Sequence, residues 1–231
     1  MKYFFKIASF IIFAIFLLSG AASAMPMLSI SDGSTTIVVK DNQLGDSAPN
    51  AGIITIIDNT LNNVIWSLTT GITKPTYGTA TNPVMHLDSV NVTSTGAVKL
   101  EIAFTETGFS TWDDIIGFTT GIGGSTDGLV TFDAFLDFGN SPFAQTTHIG
   151  SLGNFSNGVF SDSELWNMSN VVLGDNFSLT MVASIDHSGS SMGQVTSFNA
   201  DVAPVPEPAT MLLLGVGLLG VAGAGRRKTK K

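Results

Sequence analysis

Few residues of this chain carry nucleophilic, acid–base or metal-binding chemistry, and their spacing limits what they can do. Gly189-Ser190-Ser191-Met192-Gly193 spells Gly-x-Ser-x-Gly, with Asp186 and His187 just before it. In a hydrolase that pattern holds a serine hydroxyl on a sharp strand-to-helix turn. Here a strand-like run precedes it and another, Gln194–Asn199, follows, so a Gly/Ser hairpin loop accounts for it better than a nucleophile does. The three histidines, His86, His148 and His187, are far apart and show no ligand spacing. Glu101, Glu106 and Glu164 are the carboxylates that would pair for glycoside hydrolysis if the fold brought them together. Asp41-Asn42-Gln43-Leu44-Gly45-Asp46 and Asp113-Asp114 offer the hard oxygens that calcium takes, yet neither follows the twelve-residue loop pattern. Asx turns explain them more simply. The reading is therefore of a protein that is not an enzyme and needs no cofactor, calcium being the single ion these loops suit.

The elements that must position such residues are strands. Between the two ends the chain is rich in Thr, Ser, Gly, Asn, Val, Ile and Phe, with β-branched and aromatic runs separated by turn residues. Expected strands are Met27–Ser31, Thr35–Lys40, Ala51–Asp58, Val64–Thr70, Met85–Val92 and Val98–Phe104. Further along come Ile115–Thr119, Gly128–Asp137, Thr146–Leu152, Phe177–Asp186 and Val195–Val202. Asp32-Gly33 is a hairpin signal, and Ser94-Thr95-Gly96 reads as another. Val98, Leu100, Ile102 and Phe104 alternate toward one face, while the irregular spacing in Phe132–Phe138 predicts a bulge. Ser110–Ile116 is the one place where a short helix is expected. The pattern predicts an all-β, antiparallel β-sandwich, whose two inner faces would bury the Phe, Ile and Val residues.

Charge narrows the partners. Of 10 basic and 18 acidic residues, only Lys40, Lys74 and Lys99 fall between Met25 and Val205, against 17 acids (all but Glu207), a balance of 3 − 17 = −14. Such a body repels nucleic acid. It has no cysteine, which excludes disulfides, thiol catalysis and thiolate metal sites.

The two ends have a different character. Lys2 and Lys6 precede an apolar run, Ile7–Leu18, and then Ala21-Ala22-Ser23-Ala24. This is the layout of a secretory signal peptide, residues 1–24, cut after Ala24 with Ala22 and Ala24 as the small-residue site. At the other end stand Val205-Pro206-Glu207-Pro208-Ala209-Thr210, an uncharged run to Gly225, and Arg226-Arg227-Lys228-Thr229-Lys230-Lys231. The run of about 17 residues would reach roughly 25 Å as a helix, marginal for a ~30 Å hydrocarbon core. The basic tail should stay on the cytoplasmic side. Gly215-Val216-Gly217-Leu218-Leu219-Gly220 spells a dinucleotide-binding fingerprint, but inside this apolar run it has neither a strand before it nor a ribose-binding acid after it.

This order of proline-flanked glutamate, apolar segment and arginine pair closely resembles the PEP-CTERM sorting signal of Gram-negative bacteria. The resemblance covers about Val205–Lys231 and leaves the rest of the chain unrecognised. It implies recognition at Pro206, Glu207 and Pro208 by an exosortase, an integral-membrane processing enzyme, with Arg226 and Arg227 as the cytoplasmic stop. It also implies export by the Sec machinery, cleavage by signal peptidase, membrane contact through residues 209–225 and a link to exopolysaccharide or biofilm matrix. The expected organisation is a signal helix (1–24), a sandwich passenger (25–202) and a sorting region (203–231) whose first residues are a linker. The expected role is structural or adhesive at the cell surface or outside the cell. Alternatives are a secreted carbohydrate-binding module, which exposed faces of Trp66, Trp112 or Trp166 would support, and a secreted hydrolase.

Overall fold

Alternation along the strands decides what lies inside. In Lys99–Phe109 the even-numbered Leu100, Ile102, Phe104 and Glu106 are buried, as the pattern predicts for the first three. The computed structural model describes residues 25–110, 115–168, 176–189 and 193–206, with backbone alone for 58–60. Within them the chain forms β1 (Met27–Ser31), β2 (Thr36–Lys40), β3 (Ile53–Leu61), β4 (Val64–Ile72) and β5 (Met85–Ser94). These are followed by β6 (Lys99–Phe109), β7 (Ile115–Asp137), β8 (Thr147–Asn167), β9 (Phe177–Asp186) and β10 (Val195–Pro206). All pairings are antiparallel and belong to one sheet, ordered β2-β1-β6-β9-β7-β10-β5-β4-β3, with β8 on the other side of β7.

The sheet makes two layers because its longest ribbon is bent double. Ile115–Thr126 of β7 pairs with β10, whereas Leu129–Asp137 pairs with β9. β8 follows β7 through both halves. The bend falls at Asp127-Gly128 in β7 and Asn157-Gly158 in β8, with Asn157 at φ 52° and Gly158 at φ 128°. These dipeptides favour left-handed backbone, which turns a strand tightly. Phe155 and Phe160 stack across the bend of β8, ring centres 4.7 Å apart. One layer is therefore β2-β1-β6-β9 with half the ribbon, and the other is β3-β4-β5-β10 with the rest.

The layers meet face to face over one core. The Phe104 ring of β6 lies 2.5 Å from where a Cβ on Gly71 of β4 would stand, so glycine is what lets the layers close there. Phe118 of β7 meets Phe177 of β9 edge-on at 6.4 Å. A second, smaller cluster lies outside the first layer, where Phe143 from the β7–β8 connection covers Ala103, Phe135 and Val182.

Several expectations change. The antiparallel all-β reading holds, but the hydrogen-bond ladder runs continuously from layer to layer through β7 rather than forming two separate sheets. Ile115–Thr119 and Gly128–Asp137 are two halves of one strand. The expected bulge is present as a register shift between Ala134 and Phe135 against β8. Ser94–Gly96 and the 187–194 connection are not hairpins: β5 and β6 lie in different layers, and β9 and β10 each pair with β7 instead of each other. Ile115 and Ile116 begin a strand rather than ending a helix; 111–114 lie outside the described residues. The expected linker from Ala203 is also strand as far as Pro206, with Ala203–Pro206 facing Thr119–Ile115 of β7. β5 pairs only as far as Val202, so these residues form an edge. Pro204 and Pro206 share one parity, and an edge tolerates their missing donors.

Candidate functional site

Strand directions give the body two unlike poles. Met27 pairs with Thr105 near the end of β6, and Pro206 pairs with Ile115 at the start of β7, so both ends of the described chain lie at one pole, here called proximal. Of the sorting residues, Pro206 closes β10. Glu207, Pro208, Arg226, Arg227, the apolar run 209–225 and Ala22 and Ala24 lie outside the described residues, as does the signal segment 1–24.

At the distal pole, loops join β1 to β2, β3 to β4 and β9 to β10. Beside them a groove of about 440 Å³ crosses the outer face of β1, β6, β9 and β7, lined by Asp32, Lys99, Glu101, Thr131, Ser184 and Asp186 among others. A neighbouring depression of about 330 Å³ shares Asp186 and adds Asp127, Asn157 and Gln194. The carboxylates here are firmly held. Asp186 contacts Lys99 at 2.9 Å and accepts the Ser188 amide at 2.8 Å. Its hydrogen bonds from Ser188 and Lys99 lower its pKa to about 2. Asp32 accepts from the Asn62 side-chain amide and from the Ser34 and Thr35 backbone amides, which push its carboxyl well below the usual range. Asp127 accepts the Val195 amide at 3.0 Å. Asp32 and Asp186, so held, remain ionised in neutral water. Ionised carboxylates can accept hydrogen bonds but have no proton to donate.

At the proximal pole the polar chemistry is buried. Lys74 Nζ lies 3.1 Å from Glu106 Oε1 and donates to the Thr107 carbonyl at 2.6 Å. It also stands 4.2 Å from the centre of the Phe109 ring. The lysine side chain is 11% exposed and the glutamate fully buried. Burial pulls the Lys74 pKa down and pushes Glu106 up, with the partner opposing the change in each case. Nearby, Asp41 Oδ2 accepts the Gly52 amide at 3.0 Å, and the Gly52 carbonyl accepts the Thr73 amide at 2.8 Å. Asp41 Oδ1 and Glu106 Oε2 are buried without a protein partner.

The other sequence candidates do not assemble into a centre. Glu101 faces out of the first layer while Glu106 faces the core, and Glu164 bridges the two halves of β8 by accepting the Ser151 amide at 3.0 Å. His86 contacts its cross-strand partner Asp201 at 2.7 Å. His148 sits 3.9 Å from Asp133 and edge-on to Phe135, and His187 is buried with Nε2 2.9 Å from Thr196 Oγ1. Among the described residues no group of three or more metal-binding side chains converges. Both carboxylates of the Asp41–Asp46 loop cap backbone amides, those of Gly52, Asn42, Ala48 and Thr55. Around the Gly-x-Ser-x-Gly stretch, strands lie on either side; Ser190–Met192 are outside the described residues. Trp66 is fully buried and Trp166 partly so, and Trp112 lies outside the described residues.

The Lys74–Glu106 pair escaped sequence reading because its members stand 32 positions apart. A signal was present, however. Carrying the alternation of Val98–Phe104 two residues further puts Glu106 on the core face, where an acid requires a partner, and the body has only three lysines.

Residues 204–228 match the model of the PEP-CTERM protein-sorting motif. The chain thus carries a sorting signal that marks it for export with a membrane-anchored C-terminal segment. No curated protein matches the chain. Among solved structures, TmCBM61 in complex with beta-1,4-galactotriose is 9% identical, with 71% of this chain and 92% of that chain covered at a TM-score of 0.32. The enzymatically active domain of bacteriophage CBA120 tailspike protein 4 is 12% identical, with 78% and 19% covered and a TM-score of 0.35.

Proposed function

We propose that this protein is an exported structural or adhesive component of the cell surface or extracellular matrix, working in contact with exopolysaccharide and without catalysis of its own. The observation that carries the reading is the PEP-CTERM motif at residues 204–228. An exosortase is the processing partner, reading Pro206-Glu207-Pro208 with Arg226-Arg227 held inside. Signal peptidase cuts after Ala24, following export through the Sec route. The geometry supports a definite orientation. With both ends of the body at the proximal pole, an anchor after Pro206 turns the distal groove away from the membrane.

Replacing Glu207 by Ala should leave uncleaved precursor in the inner membrane while the wild-type protein reaches the surface or medium. Unchanged mass and location in that variant would remove the sorting claim. A carbohydrate-binding module is the alternative: the buried Trp66 and partly buried Trp166 withdraw two of the aromatic faces expected for it, and what favours it is the carboxylate and amide side chains at the distal pole, which suit sugar hydroxyls. Glycan-array binding without turnover supports it. Release of product would instead point to a hydrolase.

A further inference from the structure

We propose that Lys74 and Glu106 become joined by an amide bond between Lys74 Nζ and Glu106 Cδ, a covalent staple between the two layers at the proximal pole. Lys74 follows β4 in one layer and Glu106 belongs to β6 in the other. Their 3.1 Å contact is the one ion pair among the described residues in which both side chains are largely shut off from water. A buried ion pair adds little to stability compared with apolar packing. Yet this body, with three lysines, commits one of them to its interior.

The surroundings suit condensation rather than a lasting ion pair. Around Nζ, the Thr107 carbonyl and the Phe109 ring occupy two directions, and Glu106 occupies a third. The 3.1 Å contact is made by Oε1, which also accepts the Thr107 amide at 2.8 Å, so Oε1 is held as the carbonyl oxygen that stays and Cδ lies one bond beyond it. Burial favours the neutral amine and the neutral acid, and the nearby Asp41 charge further favours a protonated Glu106. Asp41 is itself fixed by the Gly52 amide. Oε2, the oxygen that must leave, has no hydrogen-bond partner to hold it. The Nζ–Cδ bond forms and the Cδ–Oε2 bond breaks. Oε2 departs as water, carrying the carboxyl proton and one proton from Nζ. Nothing is oxidised or reduced, and no co-reactant is needed. The result does for a cysteine-free exported body what a disulfide does elsewhere.

The test is tandem mass spectrometry of a proteolytic digest of the full chain recovered from its producing cells. Expected is a branched peptide containing both Lys74 and Glu106, lighter by one water than the two linear peptides together. It should be absent from Lys74→Arg, which keeps the charge but not the primary amine, and from Glu106→Ala. Glu106→Gln should give the same branched peptide, because the side-chain amide can expel ammonia where the acid expels water. Recovery of both linear peptides from folded wild-type protein, with no branched species, overturns the proposal. The inference does not rest on the sorting reading. The peptides lie within the body, so linked peptides in a missorted protein would defeat sorting alone, and unlinked peptides in a sorted one would defeat the staple alone.

Discussion

The two poles place the same two functional groups, an ammonium and a carboxylate, in opposite situations. At the proximal pole Lys74 and Glu106 stand 3.1 Å apart with 11% and 0% of their side chains exposed. At the distal pole Lys99 and Asp186 stand 2.9 Å apart with 74% and 26% exposed. In the first pair burial outweighs attraction and drives both groups toward neutrality. In the second, hydrogen bonds outweigh burial and the acid stays ionised down to about pH 2. A carboxylate–ammonium contact near 3 Å therefore implies nothing about charge until hydration is known. One geometry yields a water-excluded pair in the core and a solvated pair outside.

The sharpest way to break this contrast is to remove one partner at each pole. Lys74→Ala strands Glu106 in the core and should cost about 3–5 kcal/mol in denaturant unfolding. Lys99→Ala should cost no more than about 1 kcal/mol. Equal losses would erase the distinction. Glycine positions offer a second comparison. Gly71→Ala drives a methyl group into the Phe104 ring and should cost about 1–3 kcal/mol, whereas Gly189 has nothing within 4 Å and its change to Ala should stay within about 0.5 kcal/mol.

The smallest effects concern the histidines, which the poles also separate. Proximal His86 has its pKa raised by the hydrogen bond to Asp201, and distal His187 has its pKa lowered by burial. A raised histidine contributes stability fully present below its unfolded pKa and lost as pH rises through the folded value. The stability gap between wild type and His86→Ala should thus be widest in acid, below about pH 6.5, and narrow on the alkaline side. A lowered histidine contributes stability present above the unfolded value and lost as pH falls toward the folded one. Melting curves across this range check the first. Ring-proton titration by NMR checks the second, with His187 protonating at lower pH than His86.

What was legible in the sequence was local. Met27–Ser31 and Phe177–Asp186 are strands with the bounds their alternation indicates, and the Asp32-Gly33 hairpin joins β1 to β2. What failed was pairing. Asp127-Gly128 and Asn157-Gly158 carry turn chemistry, but a dipeptide cannot say whether it ends a strand or folds a continuing ribbon over. Ser94–Gly96 misled for the same reason, since a turn reverses the chain without fixing which strand is met next. Ala203–Pro206 read as a linker, yet they are strand: β5 begins at Met85, opposite Val202, so beyond it β10 is an edge that tolerates Pro204 and Pro206. The candidate site was least legible. Its distal acids come from β1–β2, β7 and β9, and Lys74 reaches Glu106 only through the stacking of layers.

The position of β10 has a temporal consequence. It is the last strand among the described residues, yet it fills the slot between β5 and β7, and without it β3, β4 and β5 have no ladder to the rest of the sheet. A body built from its amino end therefore cannot join its second layer to the first until these twelve residues arrive. Glu207 follows directly on the strand that completes the fold.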